Sequence, residues 1–394
     1  MRILHLIATL NPRAGGPANS VRRIAASYPQ IDSQGEILTL DSPNAPYLRE
    51  PGLTVHALGP VHNKFGYTPN LIPWLLANRD RFDGVVLHGL WEYLGYAVRH
   101  TIAGRRPYMV FTHGMLDPYF KRVRPLKHLK KTLYWWLNEY WLLRGARFVL
   151  FTSVAESQLA TQSFWPHHWT PRVVPYGASP CPGDPAQLRT AFLDHHPDLR
   201  TPDGTTKPFV LFLSRIHPKK GCDLLLDAFG KIAAQHPTLH LVLVGPDPHY
   251  IKPALAHQAY RAGLGSRVHL LPMLEGEQKW GAFCAAQVFA LPSHQENFGI
   301  AVAEALACAK PVLVSDKVNI WQEIVADGAG LAAPDDAEGT LATLTQWLAL
   351  PPAEQAAMSN RALTCFQTRY DMDTNAQAIL RILSELAPPP APQP

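Results

Sequence analysis

The sequence predicts an α/β fold made of two parallel, doubly wound sheets in tandem, and three observations predict it. The 394 residues exceed what one hydrophobic core usually serves. Short apolar runs that read as buried strands alternate with helix-like runs through both halves of the chain. Proline and glycine then crowd the stretch from Pro175 to Pro208, broken by a single helix-like island starting at Pro185, which marks a domain boundary.

The elements follow in order. Residues 2–8 read as a buried first strand, since one early Arg, a short apolar run and Pro12 do not make a signal peptide. A loop containing Gly15 and Gly16 leads into a helix-like run from Asn19. Strands are expected near 36–40, 53–58, 84–88 and 108–111, with a helix near 71–78. Ligands of such sheets sit at the carboxyl ends of strands. Three loops fall there: Gly15-Gly16, His88-Gly89-Leu90-Trp91, and His113-Gly114-Met115-Leu116-Asp117. Residues 121–147 combine Lys and Arg with a helical stripe of Leu126, Leu129, Leu133, Trp136, Leu137, Tyr140 and Leu143. Such a stripe packs a core or lies on anionic lipid, and the sequence leaves both readings open. A strand near 147–152 and a helix from Val154 complete the first half.

The second half opens with a strand at 209–213, and the turn Ser214-Arg215-Ile216-His217-Pro218-Lys219-Lys220-Gly221 follows. Cations on such a turn either clamp a diphosphate, Arg as a bidentate fork and Lys as a point charge, or are simply solvated, and the residues alone leave both readings open. The turn is not a Walker A loop. Strands near 239–244 and 268–271 follow, the second ending near Met273. A strand near 287–291 then feeds the stretch that organises this half, Glu296-Asn297-Phe298-Gly299-Ile300 with Glu304 further on. If a helix starts at Gly299, Glu304 lies roughly 7 Å along its axis. The first-turn N–H groups and the dipole favour an anion there, and Gly299 lets it approach. Phosphates at the helix end, a sugar ring at Glu296 and a ribose diol at Glu304 fit that geometry.

Composition bounds the rest. Hydrophobic residues make up 47% and charged residues 17%, which suits a packed soluble protein. No apolar run is long enough to span a bilayer. The five cysteines are odd in number, scattered, and lack C-x-x-C, which argues against a disulfide framework or structural zinc and for a reducing, cytoplasmic setting. The net charge of +5 does not call for nucleic acid. The pairs His167-His168 and His195-His196 lie in Pro-rich loops and read as surface residues. The D-x-D at Asp371 and Asp373 precedes the last helix-like run and reads as a cap, so no metal is expected.

The Glu296 to Glu304 spacing resembles the E-x7-E motif of retaining family-4 glycosyltransferases with the GT-B architecture, and other segments match the same family over nearly the whole chain. The resemblance implies two facing Rossmann-like domains with an interdomain cleft: an acceptor-side domain over 1–177, a nucleotide-sugar-binding domain over 178–368, a helix over 369–387 crossing back to the first domain, and a disordered Pro-rich tail over 388–394. It implies donor contacts at Gly16, Arg215, Lys220, Met273, Glu296, Asn297, Phe298, Gly299, Ile300 and Glu304. It places His113, Glu296, Arg215 and Lys220 in catalysis. The acceptor is expected at the strand-end loops, near His88, Trp91 and Asp117, of which Asp117 equally suits a cap on the next helix. It implies a hexosyl group moved from a nucleotide-diphosphate sugar to a glycan or lipid-linked glycan, as in bacterial surface-polysaccharide and lipopolysaccharide assembly, without cofactor or metal. An epimerase of the same fold and a non-catalytic nucleotide-sugar-binding protein are the alternatives. The expected place is the cytoplasm, with 121–147 resting on the inner membrane face.

Overall fold

The structure, a computed structural model, describes residues 1–385 apart from 15, 62, 120, 122–124 and 175. Gly15 of the glycine loop, Arg122 and Arg124 of the basic run, Pro175 of the hinge segment, the tail 388–394 and the side chain of Asp373 therefore lie outside the described residues. The chain divides into two compact units. The first is Met1–Gly177 with the final helix Met372–Ser384, and the second is Ala178–Asp371.

Seven strands build the sheet of the first unit: β1 (Arg2–Ile7), β2 (Gln34–Thr39), β3 (Thr54–Ala57), β4 (Gly84–His88), β5 (Tyr108–Phe111), β6 (Phe148–Phe151) and β7 (Pro171–Val173). They are all parallel, in the order β3-β2-β1-β4-β5-β6-β7. The central strands are buried on both faces, which is why they read as near-continuous apolar runs. Alternation splits their side chains between two cores. Leu4, Leu6, Val85, Leu87, Val110 and Val149 face one of them. Ile3, Val86, Met109 and Leu150 face the other, where the final helix adds Ile379 and Ile382. Burying each of those two isoleucines stabilises the unit by about 1.5–3 kcal/mol.

The second unit repeats the plan with six parallel strands: β8 (Phe209–Leu213), β9 (His240–Val244), β10 (Val268–Leu271), β11 (Val288–Leu291), β12 (Val312–Ser315) and β13 (Gly330–Ala333). Their order is β10-β9-β8-β11-β12-β13. In each sheet the chain runs outward for three strands, then returns to the other side of the first. This makes a switch point between β1 and β4 and another between β8 and β11, where doubly wound sheets hold their ligands.

Three elements depart from the sequence reading. The helices Tyr93–Thr101 and Gly276–Ala285 and strand β13 were not expected. Each helix contains glycine, which weakens a helical pattern. The reason is packing: a Cβ on Gly281 would meet the Leu188 carbonyl oxygen of helix Pro185–His195 at 2.3 Å. The stripe over 125–145, which the sequence left open between core and surface, is divided by a break in its helix. A π turn at Trp135–Glu139 joins the helices Pro125–Tyr134 and Tyr140–Gly145. Trp135, Leu142 and Leu143 are buried, whereas Leu126, Leu129, Leu133 and Leu137 are 63–79% exposed. Most of the stripe is therefore surface and not core.

Candidate active site

In the second unit the turn after β8 and the turn after β11 meet at the switch point. Ser293 Oγ and the His294 N–H both donate to the Lys219 carbonyl, at 2.9 and 2.8 Å. Gly221 allows this approach, because it has φ +66° and a Cβ there would lie 2.1 Å from the Pro292 carbonyl oxygen. Tying the turns together brings Lys220 Nζ onto Glu296 Oε2 as an ion pair, and Lys219 Nζ onto Gln295 Oε1 at 3.1 Å. Arg215, on the same turn, is exposed and makes no hydrogen bond or ion pair among the described residues. Gly299 caps the helix Ile300–Ala307 with φ +78°. A side chain in its place would crowd Val302 and Glu296 at 3.1 and 3.2 Å.

Glu304 lies on that helix and is paired with Lys279 at 2.7 Å. Lys279 comes from Gly276–Ala285, a helix the sequence reading passed over. The backbone of Glu296 is held from both sides: its N–H donates to Lys317 and its carbonyl accepts from Asn319, each at 3.0 Å. Phe298 is buried and packs edge-on against Tyr370, with ring centroids 5.5 Å apart. Asn297 Oδ1 accepts a long bond from Asn319 Nδ2, at 3.4 Å. Met273 follows β10 at the sheet edge and is exposed. Glu296, Lys220, Gly299, Ile300 and Glu304 thus fall on two linked turns and one helix, with Arg215 on the first of those turns.

The first unit carries a hydrogen-bonded row across its own switch point. Tyr28 Oη bonds His5 Nε2 at 2.7 Å, His5 Nδ1 bonds His88 Nε2 at 2.9 Å, and His88 Nδ1 bonds His113 Nε2 at 3.0 Å. His113 Nδ1 bonds the Tyr176 hydroxyl. Burial pushes the pKa of His5 and of His113 down to about 3, and that of His88 well below its ordinary value. All three rings are therefore neutral at pH 7, with one N–H each. One proton per bond then leaves two arrangements, all bonds pointing one way or all the other. Among the described residues the Tyr28 hydroxyl has no partner but His5, so the satisfied arrangement has Tyr28 donating. In that arrangement His5 donates to His88, His88 to His113 through Nδ1, and His113 to Tyr176 through Nδ1.

His88 is thus buried with both ring nitrogens bonded, and the acceptor contact expected of it has no free ring nitrogen. His113 also has both nitrogens engaged, and its loop is strained, with φ +51°. Glu156 holds that loop. The buried carboxylate accepts from Thr112 Oγ1 at 2.7 Å, and from the Gly114 N–H, the Thr152 N–H and Thr152 Oγ1, each at 2.6 Å. Sequence reasoning missed this residue. The signal was the capping box Ser153-x-x-Glu156, in which Ser153 Oγ does cap the helix Val154–Ala160. The acid of the box turns instead to its neighbouring strand ends.

Trp91 and Asp117 line an open cavity of about 450 Å³ together with Lys64, Lys127, Lys131 and Glu92. Trp91 has φ +73°, and its N–H donates to Glu139 Oε1 at 2.8 Å. Lys131 Nζ stands 4.2 Å over the Trp91 ring centroid. Burial raises the Glu92 pKa to about 7 and that of Glu139 to about 8, and lowers that of Lys131 to about 8. Perturbed groups gathered at a cavity make it a candidate binding site. Asp117 also caps its own loop, accepting from the Tyr119 N–H at 2.8 Å. Gly16 opens the helix Gly16–Ser27 after β1.

The family model "Glycosyl transferase 4-like domain" matches residues 15–177, and "Glycosyl transferases group 1" matches 200–364. A D-inositol 3-phosphate glycosyltransferase of Kineococcus radiotolerans is 30% identical over 194 residues, 44% of this chain and 43% of that protein. The match therefore spans less than half the length of that relative. The Anabaena Alr3699/HepE structure in complex with UDP and glucose superposes with a TM-score of 0.72 at 19% identity, covering 98% of this chain and 99% of that one. WaaG, a glycosyltransferase involved in lipopolysaccharide biosynthesis, gives 0.69 at 15% identity over 97% and 99%. At those identities the solved structures speak for the fold alone, and that fold is GT-B. With a glycosyl transferase model seated on each of its two parallel sheets, the chain belongs to the family-4 glycosyltransferases of GT-B fold.

Proposed function

We propose that the protein is a retaining, metal-independent hexosyltransferase that uses a nucleotide-diphosphate sugar. The observation that carries this reading is the pairing of Lys220 with Glu296 beside a helix start at Gly299, with the unpaired guanidinium of Arg215 on the same turn. The acceptor hydroxyl attacks the anomeric carbon on the leaving-group face. The bond from that carbon to the phosphate oxygen breaks, and the departing diphosphate takes the hydroxyl proton. Arg215, Lys220 and the N–H groups at Gly299 oppose the charge that builds on the phosphate. Glu296 orients the sugar and Glu304 the ribose.

The acceptor site of this proposal is the cavity at Trp91 and Asp117, whose three lysines suit an anionic acceptor. The exposed Leu126, Leu129, Leu133 and Leu137, with Trp136, Trp141 and Trp165 also exposed, support a lipid-linked glycan presented at an anionic membrane. No helix among the described residues is long and apolar enough to cross a membrane, so the contact would be a surface one.

Thermal-shift screening against UDP-, GDP- and ADP-sugars tests the donor site. A true donor at about a hundred times Kd adds about 2.7 kcal/mol of stability. The shift is expected to vanish in Arg215→Glu and to persist in excess EDTA, as is turnover. A donor that shifts Arg215→Glu as fully as the parent would refute the assignment. Conversion of donor to an epimer without acceptor would replace transfer by epimerisation.

A further inference from the structure

Three of the five cysteines, scattered in sequence, come together in the second unit. Cys181 lies in the loop ahead of helix Pro185–His195, Cys284 near the end of Gly276–Ala285, and Cys308 caps the C-terminal end of Ile300–Ala307. Their sulfur atoms all lie within 4.8 Å of one another, and those of Cys181 and Cys284 are 3.7 Å apart. Two thiolates bound to one ion by metal–sulfur bonds of about 2.3 Å sit about 3.8–4.0 Å apart, for angles from tetrahedral to trigonal. The spacing is thus that of two ligands on a shared ion.

The surroundings are cationic. Lys310 Nζ and Arg189 Nε both donate to the Cys284 carbonyl, at 3.0 and 3.3 Å. Three thiolates against Lys310 and Arg189 leave one negative charge, which a monovalent cation cancels. Cys284 and Cys308 are buried and Cys181 is half-buried, so entry would be past Cys181. No His or carboxylate joins the group among the described residues, and an all-thiolate set selects soft ions.

We propose that Cys181, Cys284 and Cys308 form a three-thiolate site for a soft, thiophilic metal ion of the copper(I) class. Loading forms three metal–sulfur bonds and releases the thiol protons to solvent, with no change of oxidation state. The site lies at the opposite end of helix 300–307 from Gly299, one turn beyond Glu304, so it is distinct from the diphosphate-facing residues and does not rest on the reading proposed for them.

The test uses the full chain, reduced and metal-free under anaerobic conditions. It is titrated with copper(I) buffered by a chromophoric chelator, and in parallel with zinc(II). The expected result is one copper(I) per chain, an ultraviolet thiolate-to-metal band, and protection of Cys181 from alkylation. Cys181→Ser, a half-buried loop change that leaves the core intact, should weaken binding by tenfold or more. The Cys222→Ser, Cys365→Ser double variant should bind as the parent does. Failure of the reduced parent to retain copper(I), equal binding by Cys181→Ser, or preference for zinc(II) would each overturn the proposal. So would a Cys181–Cys284 disulfide in a protein that binds no ion after reduction.

Discussion

Single side chains decide the chemistry, and two of them make separable predictions. Glu156 is buried and accepts four hydrogen bonds, from Thr112, Gly114 and Thr152. In Glu156→Gln an amide NH₂ would face donors, so at least one buried N–H or O–H loses its acceptor. Stability should fall by about 1–3 kcal/mol. Because Gly114 follows His113, kcat should fall tenfold or more while KM for the donor stays within about twofold. An unchanged kcat would make Glu156 merely structural. Lys220→Met acts elsewhere: it leaves Glu296 without its partner and, in the proposed reaction, removes a cation from the leaving group. By analogy with a lost oxyanion-hole donor, kcat should drop about 10²–10³-fold. Single-turnover rates with saturating donor measure this, and a drop confined to KM would show that Lys220 only binds. Glu296, Gly299 and Glu304 were legible as a group because one short linear stretch carries them, whereas the pairing of Lys220 with Glu296 spans 76 residues and needed the fold. The row Tyr28, His5, His88, His113 and Tyr176 was not legible, because a helix end, the middle of β1, the end of β4 and two loops far apart in sequence supply its members.

At the scale of elements, the stretch from Pro125 to Gly145 shows what periodicity leaves open. A stripe of leucines at helical spacing predicts one apolar face but not what covers it. The π turn at Trp135–Glu139 lets the same helix bury Trp135, Leu142 and Leu143 inward while Leu129, Leu133 and Leu137 point outward. Lys127 and Lys130 flank the outward leucines. If this face rests on anionic lipid, both its apolar and its basic parts are needed. Leu129→Glu with Leu133→Glu should cut co-sedimentation with anionic vesicles at least fivefold. Thermal stability should hold within about 0.5 kcal/mol, since neither residue is buried. Salt should release the parent from anionic vesicles, and neutral vesicles should bind little. Equal partition of parent and double variant onto vesicles would remove the membrane from the account.

Taken whole, the molecule is two copies of one strand plan, each with a different sensitivity built into its switch point. The plan was legible because parallel strands buried on both faces are apolar throughout, and β4, β5, β8 and β11 can be read from the chain without tertiary knowledge. What escaped was set by contacts between elements: the helix Gly276–Ala285, whose Gly281 serves close packing, and the cysteine cluster it helps to form. The difference between the units should show in unfolding. In the first unit His5, His88 and His113 are held neutral, with folded pKa values below the unfolded value of about 6.5. Their neutral-state stability is complete above pH 6.5. As pH falls from there towards about 3, the unfolded chain takes up protons that the folded unit refuses, and stability is lost. Each histidine contributes up to about 1.4 kcal/mol per pH unit in that window, so three give a slope of about 4. In the second unit His196, His217, His240 and His269 shift the same way, but they are less completely enclosed than the three rings of the first. Calorimetry at pH 7.5 and 5.5, with and without a nucleotide sugar, should therefore separate two transitions. Acid lowers chiefly the one that His5→Asn perturbs, and the donor raises chiefly the one that Arg215→Glu uncouples. Transitions that move together under both treatments would mean that the two units unfold as one.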